Sequence, residues 1–192
     1  MKAQVLPLLC GAALLAVGCS DEQQSRSSQF ESLLILVEEG EVVLEAGISD
    51  WTAVLTDFVD CISLGLLSLC EEERLQLEKA LDSTIEEWDF QDLKAELQAL
   101  RLTENVDASR ARDAYVKHLR AWRDEASTLR SNLPSASQFA AGDLSFLEQW
   151  REVLENNEAI VDSFDATCSG LGNGQPDDST EFNSRIIDVC DD

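Results

Sequence analysis

The sequence predicts an all-α fold, an antiparallel bundle of five to six helices stapled by two disulfides. Three observations carry that expectation. Apolar residues recur at helical spacing from Phe30 to Val189, and the polar connections between the stripes are short. Four cysteines after residue 30, Cys61, Cys70, Cys168 and Cys190, form the even set expected of a disulfide framework outside the cytoplasm. The 192 residues suit one domain, and a 44% hydrophobic share is enough to fill a core.

The first segment, Leu33 to Ala46, is ambiguous by pattern. Leu33 to Val37 and Val42 to Leu44 flank Gly40 as the arms of a hairpin would. A lone hairpin, however, needs a third strand or a helix to cover it. Ser28 and Glu31 have capping-box spacing, so the segment is read as helix. Trp51, Leu55, Phe58, Ile62 and Leu66 form the next stripe, with Ser49 or Asp50 as its N-cap. Leu77, Leu81, Ile85 and Trp88 follow, and after a break near Asp89 come Leu93, Leu97 and Leu100. Tyr115, Leu119, Trp122, Ala126, Leu129 and Leu133 alternate spacings of four and three up to Pro134, and Pro134 to Gly142 reads as a loop. Asp143 then caps a helix bearing Leu147, Trp150, Leu154, Val161 and Phe164, with Asn157 on its apolar face as a register residue. Asp178 and Glu181 box-cap a last helix with Phe182, Ile186 and Val189.

Four cysteines allow three pairings, and the local one, Cys61 with Cys70 and Cys168 with Cys190, is favoured. It makes a structural demand. Nine residues on an unbroken helix rise about 13.5 Å, whereas bridged Cα atoms lie within roughly 7 Å. The helix must therefore break between Cys61 and Cys70. Gly65 can end it in a left-handed turn, and Ser68 with Glu71 can start the next. The second bridge would clip the chain end beside a Gly170 to Gly174 loop. Each closed loop is expected to stabilise the fold by roughly 3 kcal/mol. Zinc is the rival reading, but no CxxC pair exists and His118 is the only histidine.

The N-terminus has a separate character. Lys2 precedes an uncharged apolar stretch, Val5 to Val17, too short to span a bilayer but suited to the core of a secretory signal. It closes with Leu15-Ala16-Val17-Gly18-Cys19 and turns polar at Ser20. Here the chain resembles bacterial lipoprotein precursors, with Gly18 and Cys19 at the family's last two lipobox positions and Ala16 where Leu is commoner. The resemblance covers about a tenth of the chain and implies an acylated Cys19 at the mature N-terminus. It also implies a membrane contact made through that lipid alone, in the bacterial envelope, facing the periplasm or exterior. More than one acyl chain is what makes such an anchor stable. The implied organisation is a signal peptide over 1–18, a lipidated flexible tether over 19–29 and a helical-bundle domain over 30–192.

Thirty-eight acidic residues against 14 basic give a formal charge of −24. That balance excludes a nucleic-acid binder, which needs a basic stripe against phosphates, and disfavours electrostatic docking on anionic lipid. It suits a basic partner protein in the envelope, and equally solubility in a saline habitat.

Catalytic signatures are missing from the pattern. There is no GxSxG, SxxK or HExxH, and Tyr115 stands where a di-iron ExxH motif would need Glu three residues before His118. His118 therefore reads as a partly exposed helix residue, and no catalytic, cofactor or metal residue is assigned. Glu71-Glu72-Glu73, Glu86-Glu87-Asp89 and Asp177-Asp178 read as solvated surface. The first of these also complements a helix dipole. The functional expectation is a non-enzymatic, lipid-anchored accessory or protein-binding module with an acidic surface. The alternative is a small-ligand or divalent-cation-binding lipoprotein with a pocket between helices. A cleft lined by Trp51, Trp88, Trp122 and Trp150 would favour the alternative, and tryptophans in the core would favour the first reading. Carboxyls of raised pKa clustered in a cleft would instead point to a hydrolase.

Overall fold

The computed structural model describes residues 11–65, 67–102, 104–176 and 180–191, with side chains from residue 26 onward except that of Ser68. Residues 1–10 and the side chain of Cys19 lie outside the described residues. The described residues form α1 (Gly11–Ser63), a 3-10 turn (Leu67–Leu69), α2 (Glu71–Glu87), α3 (Gln91–Ala99), α4 (Val106–Asn132), α5 (Ala136–Ala140), α6 (Ser145–Glu155), α7 (Glu158–Gly174) and α8 (Thr180–Cys190). The fold is all-α, with no strand among these residues. Six helices of eleven residues or more carry the bundle, and α3 and α5 are short connections.

Pairwise contacts give the directions. Cys61 meets Cys70 at one end of α1 and α2, and the Trp88 indole donates to Val43 O at the other, so the two run antiparallel. Arg74 reaches Pro134 O, Arg130 reaches Glu78 and Asp82, and Arg123 reaches Ile85 O. Helix α4 therefore runs back along α2. Asn105 bonds Gly174 O and His118 bonds Ile160 O, so α7 is antiparallel to α4.

Apolar burial falls into two clusters that α1, α2 and α4 share. The first gathers Phe30, Leu33, Leu34, Val37, Leu44, Trp88, Leu97, Tyr115, Leu119 and Leu171. The second gathers Trp51, Phe58, Leu77, Leu81, Leu129, Phe139, Phe146 and Trp150. The helical stripes up to Leu133 thus face inward as their spacing predicts, with Leu66 outside the described residues. Both disulfides take the local pairing, with Cα–Cα distances of 5.7 and 5.8 Å. The required break is at Gly65, whose φ of 73° is a left-handed conformation that side chains other than glycine resist.

Several local expectations are corrected. Leu33 to Ala46 is helical, but it does not start at Ser28, and neither Ser49 nor Asp50 caps a new helix, because α1 runs through all of them. The 20–29 stretch, expected as a tether, continues the same helix. It holds no Pro or Gly to stop it, and Gln29 Oε1 accepts from the Arg101 N–H at 2.9 Å while Arg26 pairs with Glu104. Gly40, the turn of the hairpin alternative, serves packing instead, as does Gly47. A Cβ at Gly40 would overlap the Tyr115 hydroxyl, and one at Gly47 would lie 2.7 Å from Trp88 Nε1.

Helix α2 begins after Cys70, which makes no side-chain cap, and not at a Ser68–Glu71 box. Glu71 instead grips Arg74. The 134–142 connection contains α5, started by a Ser135–Gln138 capping box. Asp143 accepts from the Ser145 N–H at 3.0 Å, but the N-cap position of α6 is Leu144, which makes no side-chain cap bond, and the helix stops at Glu155. Asn157 becomes the N-cap residue of α7 rather than a register residue on one long helix. Leu154 and Val161, expected to be inward, are consequently exposed. Gly170 to Gly174 is the last turn of α7 and not a loop. Its glycines let α7 approach α4 so closely that a Cβ on Gly170 would stand 2.8 Å from Ala111 Cβ. Asp178, the expected cap of α8, and Asp177 lie outside the described residues.

Candidate functional site

The strongest concentration of buried polar groups lies where α1, α4 and α7 meet. Tyr115, His118 and Trp122 follow one another on the inner face of α4 at helical spacing. The Tyr115 hydroxyl donates to Val37 O at 3.0 Å across to α1. His118 Nδ1 is 3.2 Å from Ile160 O, and since a carbonyl only accepts, that nitrogen carries the proton. Its Nε2 then accepts from the Trp122 indole N–H at 3.2 Å. Phe164 closes over the imidazole, with ring centroids 4.9 Å apart.

His118 is 3% exposed, against the expectation of a partly exposed helix residue. Burial lowers its pKa from 6.5 to about 4, opposed by the Ile160 carbonyl, so the ring is neutral at pH 7. Glu41 on α1 places Oε1 3.6 Å from His118 Nε2, and that oxygen is buried without a hydrogen-bond partner. Two acceptors face each other across this gap whenever Glu41 is ionised. Burial raises the Glu41 pKa from 4.5 to about 7; the Tyr115 hydroxyl opposes the rise and the charge of Glu45 adds to it. Burial, followed by the Glu41 charge, likewise drives the Tyr115 phenol well above its usual value. Both ring nitrogens of His118 are thus committed to protein partners. The site is not built to hand a base to a substrate without first breaking one of those bonds.

A groove of about 500 Å³ runs over this cluster, walled by Glu38, Glu41, Val42, Glu45, Phe164, Asp188 and Val189. Its carboxylates give it a negative lining, and Arg185 forks onto Glu38 at 2.7 and 2.8 Å. A larger groove of about 760 Å³ lies between α4, α6 and α7, lined by Lys117 and Arg120, by the acids Asp124, Glu125 and Glu152, by apolar Val153 and Ile160, and by the amides of Asn132, Gln149, Asn156 and Asn157.

The tryptophans line neither groove. Trp51, Trp88 and Trp150 are buried, and Trp122 is packed against the first cluster. Two carboxyls have a pKa raised by burial, Glu41 and Glu125, but they do not share a cleft: Glu41 lines the smaller groove with its Oε1 turned against His118, and Glu125 lines the larger one. Cys61, Cys70, Cys168 and Cys190 are all joined in disulfides, one bracing each cluster. Among the described residues no group of three or more His, Cys, Asp or Glu side chains is placed to hold a metal ion. No described helix is long and apolar enough to cross a membrane. The sequence reading missed Glu41 and the partnership of His118. The available signal was the spacing of His118 from Tyr115 and Trp122, which puts it on their face. Comparison with protein-family models, curated proteins and solved structures finds no match for this chain.

Proposed function

We propose that the chain is an exported lipoprotein, anchored through acylated Cys19, whose helical domain is a non-enzymatic accessory or protein-binding module. The observation that carries this reading is the charge of α1. From Phe30 to Ser63 it bears eight carboxylates and no Lys or Arg, and Glu31, Glu39, Glu45, Asp50, Asp57 and Asp60 are exposed. A continuous negative ridge this long steers a basic partner and repels anionic surfaces. The tryptophans support the same reading, since their indoles fill the core rather than a ligand cleft. So does the committed chemistry of His118.

Chemical crosslinking of the acylated protein in intact cells, followed by mass spectrometry, tests the proposal. The expected outcome is one reproducible partner with a basic contact surface, and a diacylglyceryl group on Cys19. Recovery without lipid on Cys19 would sink the anchoring claim, and absence of any partner would sink the accessory role.

A second reading, a small-ligand lipoprotein, is favoured by the 760 Å³ groove between α4, α6 and α7. Lys117 and Arg120 share its lining with Asp124, Glu125 and Glu152, so a ligand there would meet both signs of charge beside an apolar wall.

A further inference from the structure

The geometry points to the tip closed by Cys61 and Cys70 as a docking knob for a protein whose apolar pocket is rimmed by Lys and Arg. This rests on the protein-binding role proposed above and names the contact. Between the two cysteines stand Ile62, Leu64, Leu66, Leu67 and Leu69, with two serines, one glycine and no charge. Ile62 and Leu67 turn inward against the second core cluster. Leu64 and Leu69 do not: they are 76% and 68% exposed, the two most exposed large apolar side chains among the described residues.

A loop end is ordinarily polar, because a flexible apolar loop folds its side chains onto the nearest core. Here the disulfide, at a Cα–Cα distance of 5.7 Å, and the left-handed Gly65 hold the leucines out. A partner therefore meets a preformed surface and is spared the entropy of ordering it.

Charge selects the occupant. Asp57 and Asp60 precede the tip, Glu71, Glu72 and Glu73 follow it, and no Lys or Arg stands between Asp57 and Glu73. The first basic residue beyond, Arg74, is buried and engaged by Glu71, Glu78 and the Pro134 carbonyl. This acidic collar repels an anionic bilayer, and two copies of the tip would bring two like collars together. An apolar pocket with a basic rim satisfies both the leucines and the collar.

A photo-crosslinking amino acid placed at Leu64 or at Leu69 of the full-length acylated protein, in its own cells, tests this, with Val161 on α7 as the control position. The expected result is one protein adduct from both leucine positions and none from Val161, through a peptide carrying Lys or Arg. With that protein purified, the L64S/L69S variant should bind at least about tenfold more weakly than the parent, as for a buried apolar anchor. Because both side chains are exposed, the variant should keep the parent melting temperature. Adducts with lipid alone, adducts with a second copy alone, no adduct, or equal binding by the variant would each overturn the proposal. A partner found by whole-cell crosslinking but untouched by the tip positions would overturn it while leaving the accessory role standing.

Discussion

Around Tyr115 the core carries a phenol, an imidazole and a carboxyl among its leucines, and its helices meet through glycine and alanine. Around Phe58 the core is aromatic. Phe58 contacts Phe139 and Phe146 at centroid distances of 5.4 and 5.8 Å, and the adjoining buried cation, Arg74, is bonded to two carboxylates and a carbonyl. The same long helices run through both regions. The difference teaches that one half is sensitive to protons and to added volume, whereas the other is sensitive to lost volume.

The largest effect should come from Phe58→Ala. Removing a fully buried ring from the aromatic half is expected to cost about 3–5 kcal/mol by cavity formation, read by chemical denaturation. A loss below about 1 kcal/mol would mean that this region collapses freely and is not close-packed.

The next effect separates the halves by pH. Glu41 in the folded chain keeps its proton up to about pH 7 instead of 4.5, so its ionisation removes stability as pH rises through that window. His118 in the folded chain resists protonation down to about pH 4, whereas the unfolded chain takes a proton near 6.5. Its contribution is therefore lost as pH falls from 6.5 towards 4. The two slopes oppose each other between about 4.5 and 6.5 and nearly cancel. Glu41→Gln should gain up to about 3 kcal/mol over the parent at pH 8 and should expose the His118 slope below pH 6.5. Denaturant titrations of both proteins from pH 4 to 8 check it, and parallel curves would show that Glu41 is not buried in the way described.

Smaller, but decisive in sign, is Gly170→Ala. Alanine ordinarily favours a helix over glycine by about 1 kcal/mol. Here the added methyl meets Ala111 and the Asp107 carbonyl at under 3 Å, so a loss of about 1–3 kcal/mol is expected. A gain in melting temperature would show that α4 and α7 have room between them. The smallest effect belongs to Arg151→Ala. Its pairs with Glu148 and Glu155 are solvent-exposed, and exposed pairs contribute little, so the denaturation midpoint should not move.

Legibility followed the range of the forces involved. The disulfide pairing could be argued from the need for a break and the presence of Gly65, both local. Apolar periods up to Leu133 marked the inward faces, because that signal lies within each helix. Continuity of α1 was hidden. Ser49 and Asp50 have the chemistry of a cap, and only Tyr115 and Trp88, brought from distant helices, explain why Gly40 and Gly47 sit inside a helix. The break at Asn156–Asn157 was hidden for the opposite reason, since Leu154 and Val161 keep the period across it. His118 shared a face with Tyr115, but Ile160 and Glu41, the groups that define its environment, come from α7 and α1.

Because α1 belongs to both cores, a pull between its N-terminal end and the 61–70 tip would be carried along its axis. From Arg26 to Ser63 that axis rises roughly 55 Å. Side chains of α2, α4 and α8 packed along it would resist such a load in shear, together, instead of being peeled away one after another. A hinge at Ser49 would have let the same load prise the two cores apart. The Cys61–Cys70 bond closes the loaded end covalently, so the tip cannot be drawn out as slack chain. Under such a pull the domain would act mechanically as a tie rod.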